Sequence, residues 1–200
     1  MKDVHALVAA AVEKRIHENP YNILTRIPPS QLHPALEVAL RNRFLLSRAI
    51  RLSAANHSWA PVGQPSRDRR PIDLWVDTWL GMNLALQTGN SAESSKEDSC
   101  DGVIALETEP ALAMSTLVDL TGDEWEWQRT LHYAIGSRKF YLFRYAAGLR
   151  SLDGYPGLYL HAGDAILIPP SHASGVRLRY ADPEAPLLPP PCWVFKPTLG

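Results

Sequence analysis

The chain has 200 residues, of which 46 % are hydrophobic and 20 % are charged, and its formal net charge is −1 at pH 7. A chain of this length can bury the core of one domain, and near neutrality excludes a strongly basic protein that coats nucleic acid. The sequence has no run of about 18 apolar residues, no signal-peptide cleavage pattern and only two cysteines, Cys100 and Cys192, so we expect a cytoplasmic protein without a membrane partner.

The first elements along the chain are predicted to be mainly helical. Apolar residues at three- and four-residue spacing predict an amphipathic helix over residues 3–18, and the proline-broken residues 20–33 predict a linker. A second helix is expected from Pro34 to about Asn56, then a short strand over Trp59–Val62 and a helical turn over Leu74–Leu80. We therefore expect residues 1–33 to form a helical appendage and residues 34–197 to form the main domain.

From Met82 onward the pattern changes to short apolar runs that are typical of strands. One helix is inserted among them, with Pro110 at its start and Gly122 at its end. The sequence predicts an α+β fold, in which helices come first and a sheet follows. The expected strands cover 82–87, 103–109, 131–136, 140–145, 157–163, 165–169 and 176–180.

The charged residues are unevenly distributed along this pattern. Residues 86–126 contain ten acidic residues and one basic residue, whereas residues 1–85 and 131–180 each have a net charge of +4. This distribution is compatible with a metal site between phosphate-binding surfaces, and equally with solvated loops.

Two carboxylates within the acidic block are candidate metal ligands. Glu107 and Glu109 are two residues apart on a predicted strand, so their side chains would project from the same face. Oxygen ligands of this kind suit Mg²⁺ or Mn²⁺, which can activate an attacking oxygen in phosphoryl chemistry. The alternative is a pair of solvent-facing glutamates near the end of the strand.

A hydroxyl and two cations lie between two apolar strands. Ser137, Arg138 and Lys139 are predicted to form a tight turn that could bind a triphosphate or a nucleic-acid backbone. A polar hairpin loop would have the same composition.

The histidines permit a different interpretation. His132 and His161 lie in predicted strands, where a structural histidine is more common than a ligand. Residues 160–175 partly match the second motif of cupins, metal-binding β-barrels, with Gly163, Asp164 and Pro169 in place. His172 lies two residues before the expected position, and the His-x-His half of the cupin metal site is absent from the sequence.

Taken in order, the segments resemble the bifunctional DNA primase/polymerase (prim-pol) N-terminal domain of the archaeo-eukaryotic primase superfamily. The resemblance covers roughly residues 36–197 and depends on the order and spacing of motifs. The matching segments are Trp59-Ala60-Pro61-Val62, Arg70-Pro71, Trp79 with Asn83 to Gly89, Val103 to Pro110, Gly136 to Arg144, Gly157-Leu158-Tyr159, Gly163 to Ser171, and the Leu-Pro segment from Leu187 to Trp193.

The resemblance implies a prim-pol-like fold with an RRM-like mixed or antiparallel sheet. It implies that Glu107 and Glu109 stand at the metal-binding and catalytic Asp-x-Asp motif. It also adds Arg144 and Ser171 to Ser137, Arg138 and Lys139 as expected nucleotide-binding residues. Mg²⁺ or Mn²⁺ would be the cofactor if the domain is active, and a replication or helicase protein is a possible partner.

The departures from the family pattern fall on the chemistry. Both motif aspartates are glutamates here, which move the charge outward by one methylene group. The family's histidine aligns with Phe140, beside Lys139, and its third acidic residue aligns with Tyr159. Lys139 or His161 would have to substitute for the lost groups.

Four functional hypotheses follow from these observations. The first is a prim-pol-like domain that binds nucleotide or nucleic acid but has a weakened or inactive polymerase site. The second is an active, divergent DNA primase/polymerase, a nucleotidyltransferase that uses Glu107 and Glu109 to hold metal. The third is a cupin-like metal-binding β-barrel. The fourth is a structural or partner-binding protein that uses its N-terminal helix for a helical interaction.

Overall fold

The computed structural model describes residues 34–51, 59–69, 71–72, 75, 83–89, 102–121, 125–173 and 176–195. The predicted helix over residues 3–18 and the linker over 20–33 lie outside the described residues. So do most of the helical turn predicted over 74–80 and most of the polar loop that follows Gly89.

The elements whose bounds lie within the described residues are two α-helices and ten strands, and residues 69, 71, 72 and 75 are helical as well. The helices are α1 (Pro34–Arg41) and α2 (Pro110–Thr121), and two 3₁₀ turns cover Glu126–Arg129 and Cys192–Val194. No helix in this part of the chain is both long and apolar enough to cross a membrane. The strands are β1 (Leu46–Arg51), β2 (Trp59–Ser66), β3 (Asn83–Gln87), β4 (Val103–Thr108), β5 (His132–Ile135), β6 (Arg138–Arg144), β7 (Leu158–His161), β8 (Ala165–Ile168), β9 (His172–Ala173) and β10 (Val176–Arg177).

Eight of these strands form two four-stranded antiparallel sheets. The first sheet has the order β2-β1-β3-β8 and the second has the order β5-β6-β4-β7, while β9 and β10 form a separate ribbon. The predicted α+β class is confirmed, with α2 inserted directly after β4, as expected from Pro110.

The helix that was predicted over residues 34–56 ends at Arg41 instead, and β1 follows it. The backbone N–H of Arg43 donates to Leu40 O and that of Phe44 donates to Ala39 O, while Arg43 has a φ of 53°. These two bonds and the left-handed residue are the Schellman motif that ends helices. Because Phe44 is buried in the same core as Ala39, the turn is fixed by packing as well as by hydrogen bonds.

The turn between β5 and β6 also differs from the prediction. It consists of Gly136 and Ser137 alone, so Arg138 and Lys139 belong to β6. Gly136 has a φ of 62°, which suits the first position of a two-residue type II′ hairpin. The strand predicted over 176–180 is shorter as well, since β10 ends at Arg177.

Two hydrophobic clusters pack against opposite faces of the second sheet. Ala105 and Leu142 face a cluster that also contains α1, β1, β3 and β8. Ile104 and Leu106 face a cluster that contains the buried face of α2. The strand β4 is therefore buried along its whole length, and no residue from Val103 to Thr108 is more than 7 % exposed.

The two sheets meet where β3 and β8 of the first sheet approach β4 and β5 of the second. The N–H of Gly89, just after β3, donates to Val103 O on β4 at 2.7 Å, and the Tyr133 hydroxyl on β5 donates to Leu167 O on β8. A short turn from Ala162 to Asp164 carries the chain from β7 in one sheet to β8 in the other. Polar side chains at this crossing lie against the end of β4, where Glu107 is found.

Candidate functional site

Glu107 is the centre of the candidate site, and the second sheet fixes its position. It pairs with Phe140 on β6 and with Tyr159 on β7, so residues from three adjacent strands share one face of the sheet here. Only 7 % of the Glu107 side chain is exposed. A carboxylate this deeply buried requires partners, because isolated buried charge is strongly unfavourable.

Both oxygens of Glu107 have cationic partners. Arg138 Nη1 donates to Oε1 at 2.8 Å, and His161 Nε2 lies 2.9 Å from Oε2. Arg138 projects from the start of β6 and His161 from the end of β7, which flank β4 on its two sides. The strand order of the sheet therefore brings the two cations to one carboxylate.

The contacts continue from His161 into the turn between the sheets. His161 Nδ1 lies 2.7 Å from Asp164 Oδ2, and the Thr88 hydroxyl lies 3.0 Å from Asp164 Oδ1. That hydroxyl also accepts the backbone N–H groups of Gly163 and Asp164. Arg138, Glu107, His161, Asp164 and Thr88 form a continuous chain of contacts, here called the Glu107 network.

The network favours its ionised forms. Burial raises the pKa of Glu107, but the hydrogen bond from His161 and the charge of Arg138 outweigh burial and hold that pKa below its usual value. Burial lowers the pKa of His161, but its hydrogen bonds to Glu107 and Asp164 raise it overall. A protonated imidazole ring donates from both nitrogens, which is what two flanking carboxylates require.

Aromatic rings surround the network on the same face of the sheet. Phe140 stacks on His161 with ring centroids 6.0 Å apart and on Tyr133 with centroids 5.2 Å apart. Tyr159 is 51 % exposed, and it borders a cavity of about 560 Å³ together with His161 and Arg150. An exposed aromatic ring beside cationic side chains is the type of surface on which nucleic-acid bases stack.

Glu109 is not part of the network. It follows the end of β4, and its carbonyl oxygen accepts the N–H groups of Leu112 and Ala113 in the first turn of α2. Its carboxylate makes no hydrogen bond or ion pair with the other described residues. The predicted pair is therefore divided between a buried charge network and the start of a helix.

This donor set does not fit a two-metal centre. Both oxygens of Glu107 are bonded to cations, and Phe140 and Tyr159 occupy the positions where the resemblance expects a histidine and an acid. Within the described ranges, no group of three or more His, Cys, Asp or Glu side chains is arranged to hold a metal ion. We therefore derive no metal-dependent step from these residues.

The other predicted site residues are dispersed. Ser137 is exposed in the hairpin, and Lys139 lies on the opposite face of β6 from Arg138, because successive strand residues alternate. Arg144 is at the far end of β6, opposite Val103. Ser171 is fully buried, and its hydroxyl donates to Leu84 O and accepts from Leu84 N, so it secures β3 and is not included in the candidate site.

The histidines of the cupin interpretation are also separated. His161 ends β7 in the second sheet, whereas His172 lies in the β9–β10 ribbon, with its backbone N–H bonded to Asn83. His132 donates from Nδ1 to Thr130 O and stacks on Tyr141, which is a structural role.

Thr88 and the role of Asp164 were not predicted from the sequence. The signal was indirect, because Thr88 follows β3 and Asp164 precedes β8, and these strands pair in the first sheet. Predicting the contact between Thr88 and Asp164 requires the register in which β3 pairs with β8, and the sequence of neither strand alone specifies it.

Comparisons with family models, curated proteins and solved structures give no match for this chain.

Proposed function

We propose that this chain is a prim-pol-like domain that binds nucleotide or nucleic acid and does not polymerise it. The observation that carries the proposal is the pairing of both Glu107 oxygens with Arg138 and His161. In this proposal the charge that would hold metal in an active member is neutralised by side chains of the protein.

The strand register supports the resemblance on which the proposal rests. The motif positions Glu107, Phe140 and Tyr159, which match the family's carboxylate, histidine and third acid, are direct neighbours on β4, β6 and β7. Those three positions come from segments far apart in the sequence, so their adjacency in the sheet does not follow from their spacing along the chain.

The surface beside the network supports binding of a base and a phosphate. Tyr159 offers an exposed ring, and the Arg138 side chain is 49 % exposed, so part of it is accessible to a ligand. Arginine is suited to phosphate because its planar donors match phosphate oxygens.

Primer extension tests the absence of polymerase activity. The wild-type chain and the Glu107→Ala/Glu109→Ala double variant are assayed side by side with Mg²⁺ and with Mn²⁺. We expect no extension product above background from either protein. Robust synthesis by the wild type that the double variant abolishes would establish an active, divergent polymerase in place of our proposal.

Fluorescence anisotropy in EDTA tests binding, with labelled single-stranded DNA, single-stranded RNA and a fluorescent nucleoside triphosphate as separate ligands. Tyr159→Ala is expected to lower the affinity at least about fivefold, since stacking contributes about 1–3 kcal/mol per base. Met114→Ala is the control, because Met114 is similarly exposed but lies on α2. The binding proposal fails if none of the three ligands binds, or if the two variants have equal effects.

A further inference from the structure

The cavity of about 560 Å³ that Tyr159 borders lies beside β7, the last strand in the order of the second sheet. Residues 149–153 contribute one part of its lining, and residues 158–164, from β7 and the turn after it, contribute the other. Its volume is within the range of about 300–1,000 Å³ that is typical of small-molecule sites in proteins. The side chains of the lining therefore decide which small ligand the cavity can bind.

The segment that contributes Arg150 to the lining is fixed by contacts with the rest of the domain. The backbone N–H of Arg150 donates to Val194 O at 3.0 Å, and Leu149 pairs with Phe195 in an antiparallel bridge. Leu152 is only 3 % exposed and belongs to the hydrophobic cluster that contains the buried face of α2. A lining that is formed before the ligand binds reduces the entropy lost on binding.

The Arg150 side chain makes no ion pair with the described residues. Its guanidinium lies 5.0 Å from the centre of the Tyr155 ring, and Nη1 donates to the Tyr155 hydroxyl at 3.2 Å. Nε is buried and has no hydrogen-bond partner in the described part of the chain. Tyr155 thus orients a guanidinium that the protein satisfies only in part, and planar arginine donors of this kind match phosphate oxygens.

Two carboxylates also line the cavity, and they differ in how they are paired. Asp164 is already bonded to His161 and to the Thr88 hydroxyl. Asp153 is exposed, and its Oδ2 accepts the Ser151 hydroxyl at 2.5 Å, while its Oδ1 has no hydrogen bond to the described residues. Carboxylates in dinucleotide-binding proteins accept ribose hydroxyls in the same way. The lining therefore suits a ligand that carries hydroxyl groups as well as an anionic group.

We propose that this cavity binds a free ribonucleotide. The base stacks on Tyr159, the ribose hydroxyls donate to Asp153, and a phosphate accepts from Arg150. One cavity thus contains a matching side chain for each of the three parts of a nucleotide. The inference rests on the function proposed above and narrows it from nucleotide or nucleic acid to a free nucleotide. It also assigns the phosphate to Arg150, because Arg138 does not line the cavity.

Titration calorimetry in EDTA compares each of the four common ribonucleoside 5′-monophosphates with its nucleoside. We expect at least one monophosphate to bind at least about tenfold more tightly than its nucleoside, because hydrogen bonds between charged groups are the strong ones. Arg150→Gln should reduce this phosphate preference to less than about threefold. Arg177→Gln is the matched control, because it removes the same charge from an exposed arginine outside the cavity. The preference is a ratio of two affinities measured on one protein, so partial unfolding of a variant does not imitate its loss.

The matching 2′-deoxyribonucleoside monophosphate tests the ribose contact. The wild-type chain should prefer the ribose form by at least about fivefold, since a site that hydrogen-bonds a hydroxyl group discriminates against the analogue that lacks it. Asp153→Ala should remove this preference, and Asp119→Ala, which removes an exposed carboxylate from α2, should retain it. Equal affinities of the wild-type chain for the two sugars would overturn the ribonucleotide as the ligand.

Arg138→Gln and single-stranded RNA separate this inference from the proposed function. The phosphate preference of Arg138→Gln should stay within about twofold of the wild-type value. If Arg138→Gln loses the preference and Arg150→Gln keeps it, the phosphate lies at the Glu107 network, and the inference fails while the proposed function stands. The same holds if single-stranded RNA binds through Tyr159 and no monophosphate binds, because the ligand is then nucleic acid. If no monophosphate, triphosphate or oligonucleotide binds, both proposals fail.

Discussion

The two ends of β4 differ in how their charged side chains are paired. At Glu107 the charges of four side chains alternate in sign and contact one another within 3 Å. At Val103 three arginines, Arg41, Arg43 and Arg144, line an open pocket. The charges at the first end are paired with one another inside the sheet, whereas Arg41 at the second end is paired at the surface with the exposed Glu184. Glu107, from the predicted metal-binding motif, thus lies at the end of β4 where the charged side chains are already paired with one another.

The two ends also differ in backbone packing. Gly102 lies directly against Gly89 where the two sheets meet, and a methyl group added at Gly102 would come within 2.3 Å of the Gly89 carbonyl oxygen. Near Glu107 the crossing between the sheets is made by the turn at Gly163, where an added methyl group would meet nothing within 4 Å. The backbone at the Val103 end of β4 is therefore tightly packed where the two sheets meet, whereas the Glu107 network lies beside an open turn.

Substitution at the joint is expected to have the largest effect. Gly102→Ala should lower the free energy of unfolding by at least about 3 kcal/mol, because the backbone on both sides of the clash is held by sheet hydrogen bonds. Gly163→Ala is the matched control and should change the free energy of unfolding by less than about 0.5 kcal/mol. Urea denaturation of both variants measures the difference, and equal stabilities would show that the sheets are not joined as tightly at Gly102 as the packing indicates.

Removal of the central carboxylate should have the next largest effect. Glu107→Ala leaves His161 and Arg138 without their shared partner, and breaking a buried pair costs about 3–5 kcal/mol. Since Arg138 is half exposed and can be hydrated, we expect a loss of about 2–3 kcal/mol. Glu109→Ala removes the same group from the start of α2, where a favourable interaction with the helix dipole contributes about 0.5 kcal/mol.

Chemical denaturation at neutral pH compares these two glutamate variants directly. A loss for Glu109→Ala as large as that for Glu107→Ala would contradict the division between a buried network and an exposed helix start. It would also revive the interpretation in which the two carboxylates act together.

Local sequence signals predicted most of the strands and α2 but not the end of α1. The apolar residues that begin at Leu36 continue past Arg41 at helix-like spacing, so the sequence imitates a longer helix. The turn has Arg43 at the position where glycine normally marks the end of a helix. Tertiary packing of Phe44 and pairing with β2 and β3 decide the outcome, and neither is local information.

Sequence reasoning identified three members of the Glu107 network individually but not their arrangement. Glu107 and Arg138 were candidates for separate tasks, metal binding and phosphate binding, and the structure joins them in one ion pair. His161 was considered both as a structural histidine and as a substitute for a lost catalytic group. Only the order β6-β4-β7 brings the three together, and the strand order of an antiparallel sheet cannot be obtained from side-chain spacing.

The coupling between Glu107 and His161 should depend on pH, and this is the smallest effect expected. The pKa of His161 is raised above its ordinary value of 6.5, so the stabilisation it provides is fully present below about pH 6.5 and is lost as the pH rises through the folded-state pKa. The pKa of Glu107 is lowered from 4.5, so its stabilisation is present above about pH 4.5 and is lost as the pH falls through the folded-state pKa. The two ranges overlap between these values, and the network is strongest there.

A double-mutant cycle of Glu107→Ala and His161→Gln isolates this coupling from all other titrating groups. We expect a coupling free energy of about 1–2 kcal/mol near pH 5.5 and a smaller one near pH 8.5, because the uncharged ring can donate to only one of its two carboxylates. A coupling that is equal at both pH values would mean that the contact is a neutral hydrogen bond. In that case Glu107 would keep a charge that His161 does not neutralise, and the contrast between the two ends of β4 would be weaker than the geometry indicates.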